Sequence, residues 1–288
     1  MTMTSPSRAA LLEQLVATRI AGEVATAREN NLLHYRLLAE RDPHYLLGLE
    51  PSQELTPESV LELMVKLVGV NPDPLHRSGI DTIDPELTVA ALDRYADRLA
   101  EAVRRAETVL FATGHPASLA ALYQRFADEL RARGCRILRA GEGWGYDAST
   151  RYGTRRLTIG YSAAHSAASA GPSDGGGDIA ALEDAQGPVH SHAARPIRAI
   201  FAALAAEGRP LPDLVVADHG WCGGAAQASV DAIGFADCND PGLFVGEDEG
   251  IVRVSVPLDD GLAPAVYEPL GGYVLGRIDE AVRALPGS

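Results

Sequence analysis

Two short apolar runs of the sequence each end in an aspartate, and side chains that can bind metals or move protons follow both. The first run, VVAD, ends at Asp218, and the second, IGFAD, ends at Asp237. His219 follows the first aspartate, while Asn239 and Asp240 follow the second. Hard oxygen ligands grouped in this way suit Mg²⁺ or Mn²⁺. We therefore predict a metal site formed by Asp218, Asp237, Asn239 and Asp240.

Other interpretations of this stretch stay open. Asp218 and Asp240 could serve only as caps of the helices or turns that follow, because Asp and Asn-Asp-Pro are common there. His219, Cys222 and Cys238 could bind Zn²⁺, which prefers imidazole and thiolate ligands, although their spacing is not a standard zinc signature. Cys222 could also be a nucleophile beside His219, or a small buried residue that only packs.

The segment ATGHPAS, residues 112–118, turns from a predicted strand directly into a helix. Backbone N–H groups, a serine hydroxyl and the positive end of the helix would surround one point, which suits a phosphate group. We predict that Thr113, Gly114 and Ser118 bind the substrate there, and that His115 at the rim contacts or protonates a bound oxyanion. The alternative is an ordinary strand-to-helix turn, since the G-x-G-x-x-G spacing of dinucleotide sites is absent.

The segment GPVHSHAARP places His190 and His192 two residues apart. On an extended chain both side chains point to one face, where they could share a metal ion or an anion. Arg195 and Arg198 follow at the start of a predicted helix, within reach of a phosphate. We predict that His190, His192 and Arg195 bind the substrate, and the alternative is a polar loop without a function.

The elements that must position these residues differ between the two parts of the chain. Apolar spacing is helical over most of residues 7–105, with one helix expected over residues 10–30. Thr56 before Pro57 and Asp84 before Pro85 are typical helix starts. Residues 1–106 are therefore predicted to form an N-terminal helical cap region.

Strands and helices alternate from residue 107 onward, beginning with TVLFATG, an amphipathic helix and CRILRAG. Such a β-α-β unit normally has parallel strands. The pattern predicts an α/β domain over residues 107–288, with a doubly wound, mostly parallel sheet. Ligands of such sheets bind beyond the carboxyl ends of the strands, which is where Asp218 and Asp237 fall. An Ala-, Ser- and Gly-rich segment around Gly171 indicates a loop, either a lid or a plain insertion.

Composition narrows the class of ligand. The 288 residues are 46% hydrophobic, a fraction typical of globular proteins. Their formal net charge of -14 argues against nucleic acid as a partner. Lys66 is the single lysine and three cysteines are present, so neither a Walker loop nor a disulfide framework is expected. No apolar run is long enough to span a membrane and no signal sequence is recognisable, so we expect a cytoplasmic protein that binds a small molecule.

Four segments, IDPELTVAALDRYADRL, VLFATGHPASLAALY, VVADHGWCGGAA and GFADCNDP, resemble a family of actinobacterial phosphatases. The resemblance covers most of the chain after about residue 56, and it implies hydrolysis of a phosphate ester. It assigns no catalytic residue. The common phosphatase signatures DxDx[TV], C-x5-R and R-H-G are absent from the sequence.

Together these observations predict a metal-dependent phosphoric monoester hydrolase that acts on a small phosphorylated metabolite. The metal would orient a water molecule, His219 would accept its proton, and His115 would stabilise the phosphoryl oxygens. One alternative is a phosphosugar- or nucleotide-binding module without turnover, although several aspartates near its phosphate would repel it. Another is a zinc hydrolase that uses His219, Cys222 and Cys238. The oligomeric state is left open, a homo-oligomer included.

Overall fold

The computed structural model describes residues 5–150, 153–162 and 177–283, so the predicted loop around Gly171 lies outside the described residues. In chain order, the elements are α1 (Arg8–Ala17), β1 (Gly22–Ala27), α2 (Arg28–Ala39), α3 (Pro43–Leu46), α4 (Pro57–Leu67), β2 (Ile80–Ile83), α5 (Pro85–Arg105), β3 (Thr108–Ala112), α6 (Ala120–Ala132), β4 (Arg136–Ile137), β5 (Gly145–Thr150), β6 (Gly153–Ser162), β7 (Ile179–Asp184), β8 (Gly187–Pro188), α7 (Arg195–Ala206), β9 (Leu214–Val216), α8 (His219–Gln227), β10 (Asp231–Ala236), α9 (Pro241–Asp248), β11 (Val254–Pro257), a 3₁₀ helix (Pro264–Tyr267) and α10 (Glu268–Arg283).

A mixed, largely parallel sheet forms the centre of the fold. Its strand order is β11-β10-β9-β3-β7-β6-β5, with β4 also paired to β3 and β8 to β7. Every pairing among β3, β4, β7, β9, β10 and β11 is parallel, whereas β5, β6 and β8 join in antiparallel pairs. The sheet and its flanking helices confirm the predicted α/β class. The parallel pairing of β3 with β4 across α6 also confirms the predicted β-α-β unit.

The buried strands read as continuous apolar runs because helices cover them. Val109, Leu110, Val215 and Val216 are fully buried, as expected for strands in a parallel sheet. On one side Phe235 of β10 stacks against Tyr95 of α5, with ring centroids 5.0 Å apart. This packing fixes the strands whose carboxyl ends carry the polar residues.

The prediction of one helix over residues 10–30 is wrong. Helix α1 ends at Ala17, Arg19 and Gly22 have left-handed backbone conformations, and β1 then pairs antiparallel with β2. The apolar spacing of this segment fits a helix, but pairing with a strand about 60 residues away decides the outcome. The predicted starts at Thr56 and Asp84 are confirmed, since both side chains cap their helices.

The region before residue 107 is not made of helices alone, since β1 and β2 form a small sheet within it. Helix α5 packs against β11 of the central sheet and against α10. The division into a cap of residues 1–106 and a domain of residues 107–288 remains a prediction. Within the described ranges, no helix combines the length and the apolar character that a membrane span requires.

Candidate functional site

Polar side chains gather where four neighbouring parallel strands end. His115 follows β3, Asp218 follows β9, Asp240 follows β10 and Asp260 follows β11. Because these strands are adjacent and parallel, their carboxyl ends lie at one edge of the sheet. The predicted adjacency of the strands before Asp218 and Asp237 is confirmed, since β9 pairs with β10.

His219 lies at the centre of this group and is buried. Its Nδ1 atom is 2.9 Å from Oδ1 of Asp218, and its Nε2 atom is 3.0 Å from Oδ2 of Asp240. Burial disfavours the charged imidazole, but the carboxylates of Asp240 and Asp218 outweigh burial and raise the pKa of His219 well above its usual value. The backbone of His219 is left-handed, with φ of 46°, which is a strained conformation for a residue with a side chain.

The side chain of Asp218 is held by the loop that follows β3. The Thr113 hydroxyl donates to its Oδ2 atom at 2.6 Å, and the Gly114 N–H donates to its Oδ1 atom at 2.6 Å. Burial opposes ionisation of Asp218, but the hydrogen bond from His219 and the neighbouring charges lower its pKa. The Ser118 hydroxyl donates to the carbonyl oxygen of Asp260 at 2.5 Å. These donors are therefore used inside the protein, and a role for Thr113, Gly114 and Ser118 in binding phosphate stays a prediction.

Asp218 and Asp240 both occupy N-cap positions, yet neither side chain makes a capping hydrogen bond. Both carboxylates instead contact His219. The interpretation of these aspartates as simple caps is therefore wrong.

Four histidines form a cluster around this centre. Ring centroids are 4.4 Å apart between His115 and His219, 4.2 Å between His115 and His190, and 4.3 Å between His192 and His219. His44 stacks on His192 with ring centroids 4.2 Å apart and an interplanar angle of 9°. His190 and His44 are exposed and mark the open side of the cluster.

Burial keeps the outer imidazoles neutral. It is the largest influence on His115 and lowers the pKa of that side chain to about 3, with the charge of His219 acting in the same direction. The pKa values of His190 and His192 are lowered by the same two causes. Neutral imidazole is the form that binds metal ions.

Among the residues that the structure describes, three buried polar atoms of the cluster find no hydrogen-bond partner, namely Nδ1 of His192, Oδ1 of Asp240 and Oδ2 of Asp260. The first two are 3.7 Å apart. Oδ2 of Asp260 lies 3.4 Å from Nδ1 of His115 and 4.0 Å from Nε2 of His219, without hydrogen-bond geometry. Leaving such atoms unpartnered costs about 1–3 kcal/mol each, so they are candidate ligands of an ion.

Buried carboxyl groups are concentrated here. Asp218, Asp237, Asp240, Asp259 and Asp260 are all at most 4% exposed. In the described part of the chain, every ion pair to these five carboxylates comes from a histidine. Burial without matching cations raises the pKa values of Asp237 and Asp260, and a bound divalent cation nearby would favour the charged carboxylates.

Two sets of side chains have potential ligand atoms within 4.8 Å of one another: His115, His190 and His219, and His192, His219 and Asp240. Cys222 and Cys238 belong to neither set; both are buried free thiols, and burial raises the pKa of each. The described residues therefore do not bring His219, Cys222 and Cys238 together as a zinc site.

Asp237 and Asn239 face the N-terminal region instead. The Thr26 hydroxyl donates to Oδ2 of Asp237, and the Cys238 N–H donates to its Oδ1 atom at 2.6 Å. Burial, followed by the charge of Asp259, raises the pKa of Asp237 to about 7. The carbonyl oxygen of Asn239 lies 2.7 Å from Nδ1 of His34. Metal binding by Asp237 and Asn239 stays a prediction, and neither belongs to a ligand set.

Two members of the site, Asp260 and His44, are not among the residues predicted from the sequence. Asp260 follows the last strand, so its position at a strand end was a usable signal. His44 lies in the region before the sheet, and nothing in its sequence context shows that it stacks on His192. Arg195, a predicted substrate ligand, lies outside the cluster, with its guanidinium 4.6 Å above the ring of Tyr146.

Comparisons with known proteins agree with the resemblance seen in the sequence. A family described as Phosphatase matches residues 6–282. The phosphatase SCO2771 of Streptomyces coelicolor is 48% identical over 273 residues, which cover 94% of this chain and 96% of the relative. The expected resemblance to actinobacterial phosphatases is thereby confirmed, and the chain belongs to the Phosphatase family.

Proposed function

We propose that this protein is a metal-dependent phosphatase that hydrolyses a phosphate monoester of a small metabolite. Family membership and the name of the Streptomyces relative support the reaction class. The three unpartnered buried atoms of His192, Asp240 and Asp260 are the observation that carries the metal dependence.

The proposed ligands are His192, Asp240 and Nε2 of His219, with Asp260 as a fourth. The raised pKa of His219 belongs to the metal-free protein, and a cation would take the place of the proton on Nε2 between the same carboxylates. Nε2 of His219 lies 3.0 Å from Asp240 and 4.0 Å from Asp260, so an ion among these atoms would satisfy the unpartnered ones. The other set, with His115 and His190, contains none of the unpartnered atoms. We therefore assign the cation to the aspartate-containing set.

This ligand set changes the preferred metal. Two imidazoles with two carboxylates suit Mn²⁺ or Zn²⁺ better than Mg²⁺, which prefers oxygen ligands alone. The preference for Mg²⁺ or Mn²⁺ predicted from the sequence assumes that the ligands are the side-chain oxygens of Asp218, Asp237, Asn239 and Asp240. In this proposal Zn²⁺ would bind without the cysteines.

A bound cation would polarise a phosphoryl oxygen and lower the pKa of a bound water. Asp218 would position His219 by accepting its Nδ1–H, a common arrangement behind metal-binding histidines. With both nitrogens occupied, His219 has none free to accept a proton. His115, whose side chain is 18% exposed, is better placed to exchange a proton or to contact the phosphoryl group.

The alternative of a binding module without turnover is less well supported. The buried carboxylates of Asp218 and Asp240, whose lowered pKa values keep them charged, would repel a phosphate group unless a cation were present, and a receptor for anions has no use for them. The net charge of -14 also disfavours polyanionic partners such as nucleic acids. A cytoplasmic location is proposed from the sequence alone.

A screen of phosphorylated metabolites with Mn²⁺, Zn²⁺, Mg²⁺ or a chelator tests the proposal. Wild type should release inorganic phosphate in a metal-dependent manner, and Asp240→Asn should lose at least about 100-fold in kcat/KM. Asp213→Asn is a matched control, because Asp213 precedes β9 and accepts a hydrogen bond from Thr108 N–H at the opposite edge of the sheet. A folded wild type that releases no phosphate, or that is fully active in chelator, would overturn the proposal.

A further inference from the structure

We propose that Arg195, stacked on Tyr146, forms a second anion-binding subsite beside the histidine cluster, and that it selects phosphate monoesters whose alcohol part carries another anionic group. This inference rests on the proposed function, because it concerns the substrate of the same site. It names a class of substrate that the family name leaves open.

The position of Arg195 is fixed by the segment that carries two cluster histidines. Ser191 lies between His190 and His192, and its N–H donates to the carbonyl oxygen of Gly114 at 3.0 Å. The side chain of Ser191 also interacts with that of Tyr146. Tyr146 therefore lies against the histidine segment, and Arg195 stacks on its ring.

The short chain spacing between His192 and Arg195 limits the length of a substrate that could contact both. Arg195 is three residues beyond His192, so their Cα atoms are at most about 11 Å apart. A long arginine side chain at this spacing can reach the second end of a phosphorylated compound of three to six carbons. A phosphate at the cluster and an anionic group at Arg195 could then be held at the same time.

The guanidinium of Arg195 is available for a ligand. Its face rests on the ring of Tyr146 with 4.6 Å between the guanidinium carbon and the ring centroid. Stacking of this kind leaves the N–H donors at the edge of the guanidinium free for a carboxylate or phosphate. Arg195 is exposed and makes no ion pair with a carboxylate of the described residues.

Arg195 is a cation without an ion pair among the described residues, and it lies beside a strongly acidic site. Many arginines of the described ranges are paired, for example Arg98 with Glu107 and Arg131 with Asp178. The neighbouring site contains five buried aspartates. A cation beside it would offset part of their repulsion of an anionic substrate.

Arg198 provides a matched control on the same helix. It is also exposed and lies about one turn further along α7, but it donates a hydrogen bond to the carbonyl oxygen of Gly48 at 2.9 Å. Replacing Arg198 by Gln removes the same charge from the same helix without touching the stacked pair. Any general effect of net charge will therefore appear in both variants.

The test compares substrates that differ only in the second group. Glycerol 3-phosphate and 3-phosphoglycerate are one pair, which tests a carboxylate, and glucose 6-phosphate and glucose 1,6-bisphosphate are another, which tests a phosphate. Wild type should prefer the doubly anionic member of at least one pair by about tenfold in kcat/KM, as expected for one charge-assisted hydrogen-bonded pair. Arg195→Gln should abolish that preference through KM, while Arg198→Gln retains it.

Binding is measured separately, by calorimetric titration of the same four compounds into each protein. If Arg195→Gln binds only the doubly anionic compounds more weakly than wild type does, the subsite is supported. This holds even if no compound is hydrolysed, because a lack of hydrolysis would contradict the proposed function and not the subsite. Equal losses for both members of each pair, or a wild type without preference in binding and turnover, would overturn the subsite while leaving a phosphatase intact.

Discussion

Nε2 of His219 lies 3.0 Å from Oδ2 of Asp240, although the two residues follow different strands of the sheet. Helix α8 begins at His219 directly after β9, and α9 begins directly after Asp240 beyond β10. The parallel pairing of β9 with β10 brings the two helix starts together. Substitution of Asp240 is therefore the most direct test of the proposed cation site.

Replacing His219 tests whether its backbone is strained. The left-handed φ of 46° is readily adopted by glycine and costs other residues about 1–2 kcal/mol. His219→Gly should therefore be more stable than His219→Ala by about 1 kcal/mol, although both remove the imidazole. Urea unfolding in the presence of chelator measures the difference, and equal stabilities would argue against strain at this position.

Gly114 tests how tightly the loop after β3 closes over the site. A methyl group at Gly114 would overlap the carbonyl oxygen of Ser191 and come within 3.0 Å of Oδ1 of Asp218. Gly114→Ala should displace Asp218 and lower phosphatase activity at least about tenfold. Gly272→Ala is the control, because a methyl group there meets its nearest atom at 3.6 Å. Full activity of Gly114→Ala would contradict the described packing.

The buried pair of Arg28 and Asp81 predicts a pH dependence of stability. Burial raises the pKa of Asp81, but hydrogen bonds from the Asn71 N–H and the Arg28 and Asn31 side chains outweigh it and lower the pKa. A lowered folded-state pKa means that the carboxylate stabilises the fold above its unfolded pKa of about 4. That stabilisation is lost as the pH falls through the folded-state value.

Asp81→Asn should accordingly cost about 3 kcal/mol of unfolding free energy at pH 7, since it leaves Arg28 buried without its anion. The difference from wild type should begin to shrink below about pH 4, where Asp81 of the unfolded chain takes up a proton, and it should shrink further as the pH falls towards the lower folded-state pKa. Urea unfolding between pH 7 and pH 3 measures both quantities. A difference that stays constant over this range would show that the charge of Asp81 is not the cause.

The stacking of His44 on His192 should contribute to cation binding by holding a ligand in place. Such a ring contact is worth about 0.5–1 kcal/mol, so His44→Ala should raise the Kd for Mn²⁺ about two- to fivefold. His76→Ala is the control, because His76 contacts the carbonyl oxygen of Ile80 outside the cluster. An unchanged Kd for Mn²⁺ in His44→Ala would show that the stack of His44 on His192 does not contribute to cation binding.

Much of the fold could be predicted because its signals are local. Apolar runs such as VVAD and IGFAD indicated buried strands, and the caps at Thr56 and Asp84 indicated helix starts. The rule that ligand sites lie beyond the carboxyl ends of parallel strands then placed Asp218 and Asp240 at one edge. These predictions need only the neighbours of each residue in the sequence and a general property of parallel sheets.

The remaining features depend on contacts between distant residues. Strand β1 forms because it pairs with β2, and the helical spacing of its own residues gives no sign of it. Thr113 and Gly114 are predicted from the sequence to bind the substrate, but in the fold they donate hydrogen bonds to Asp218, about 100 residues later in the chain. The proposed ligands include imidazoles for the same reason, since His192 and Asp240 are far apart in the chain and come together only in the folded protein.

The metal content of wild type and Asp240→Asn tests the central claim most directly. Both proteins are stripped with chelator, loaded with Mn²⁺ or Zn²⁺, desalted and analysed by elemental mass spectrometry, with circular dichroism as the check on folding. Wild type should retain about one ion per chain and Asp240→Asn almost none, while Asp213→Asn should match wild type. Retention of the ion by a folded Asp240→Asn, or its absence from folded wild type, would contradict the proposed cation site.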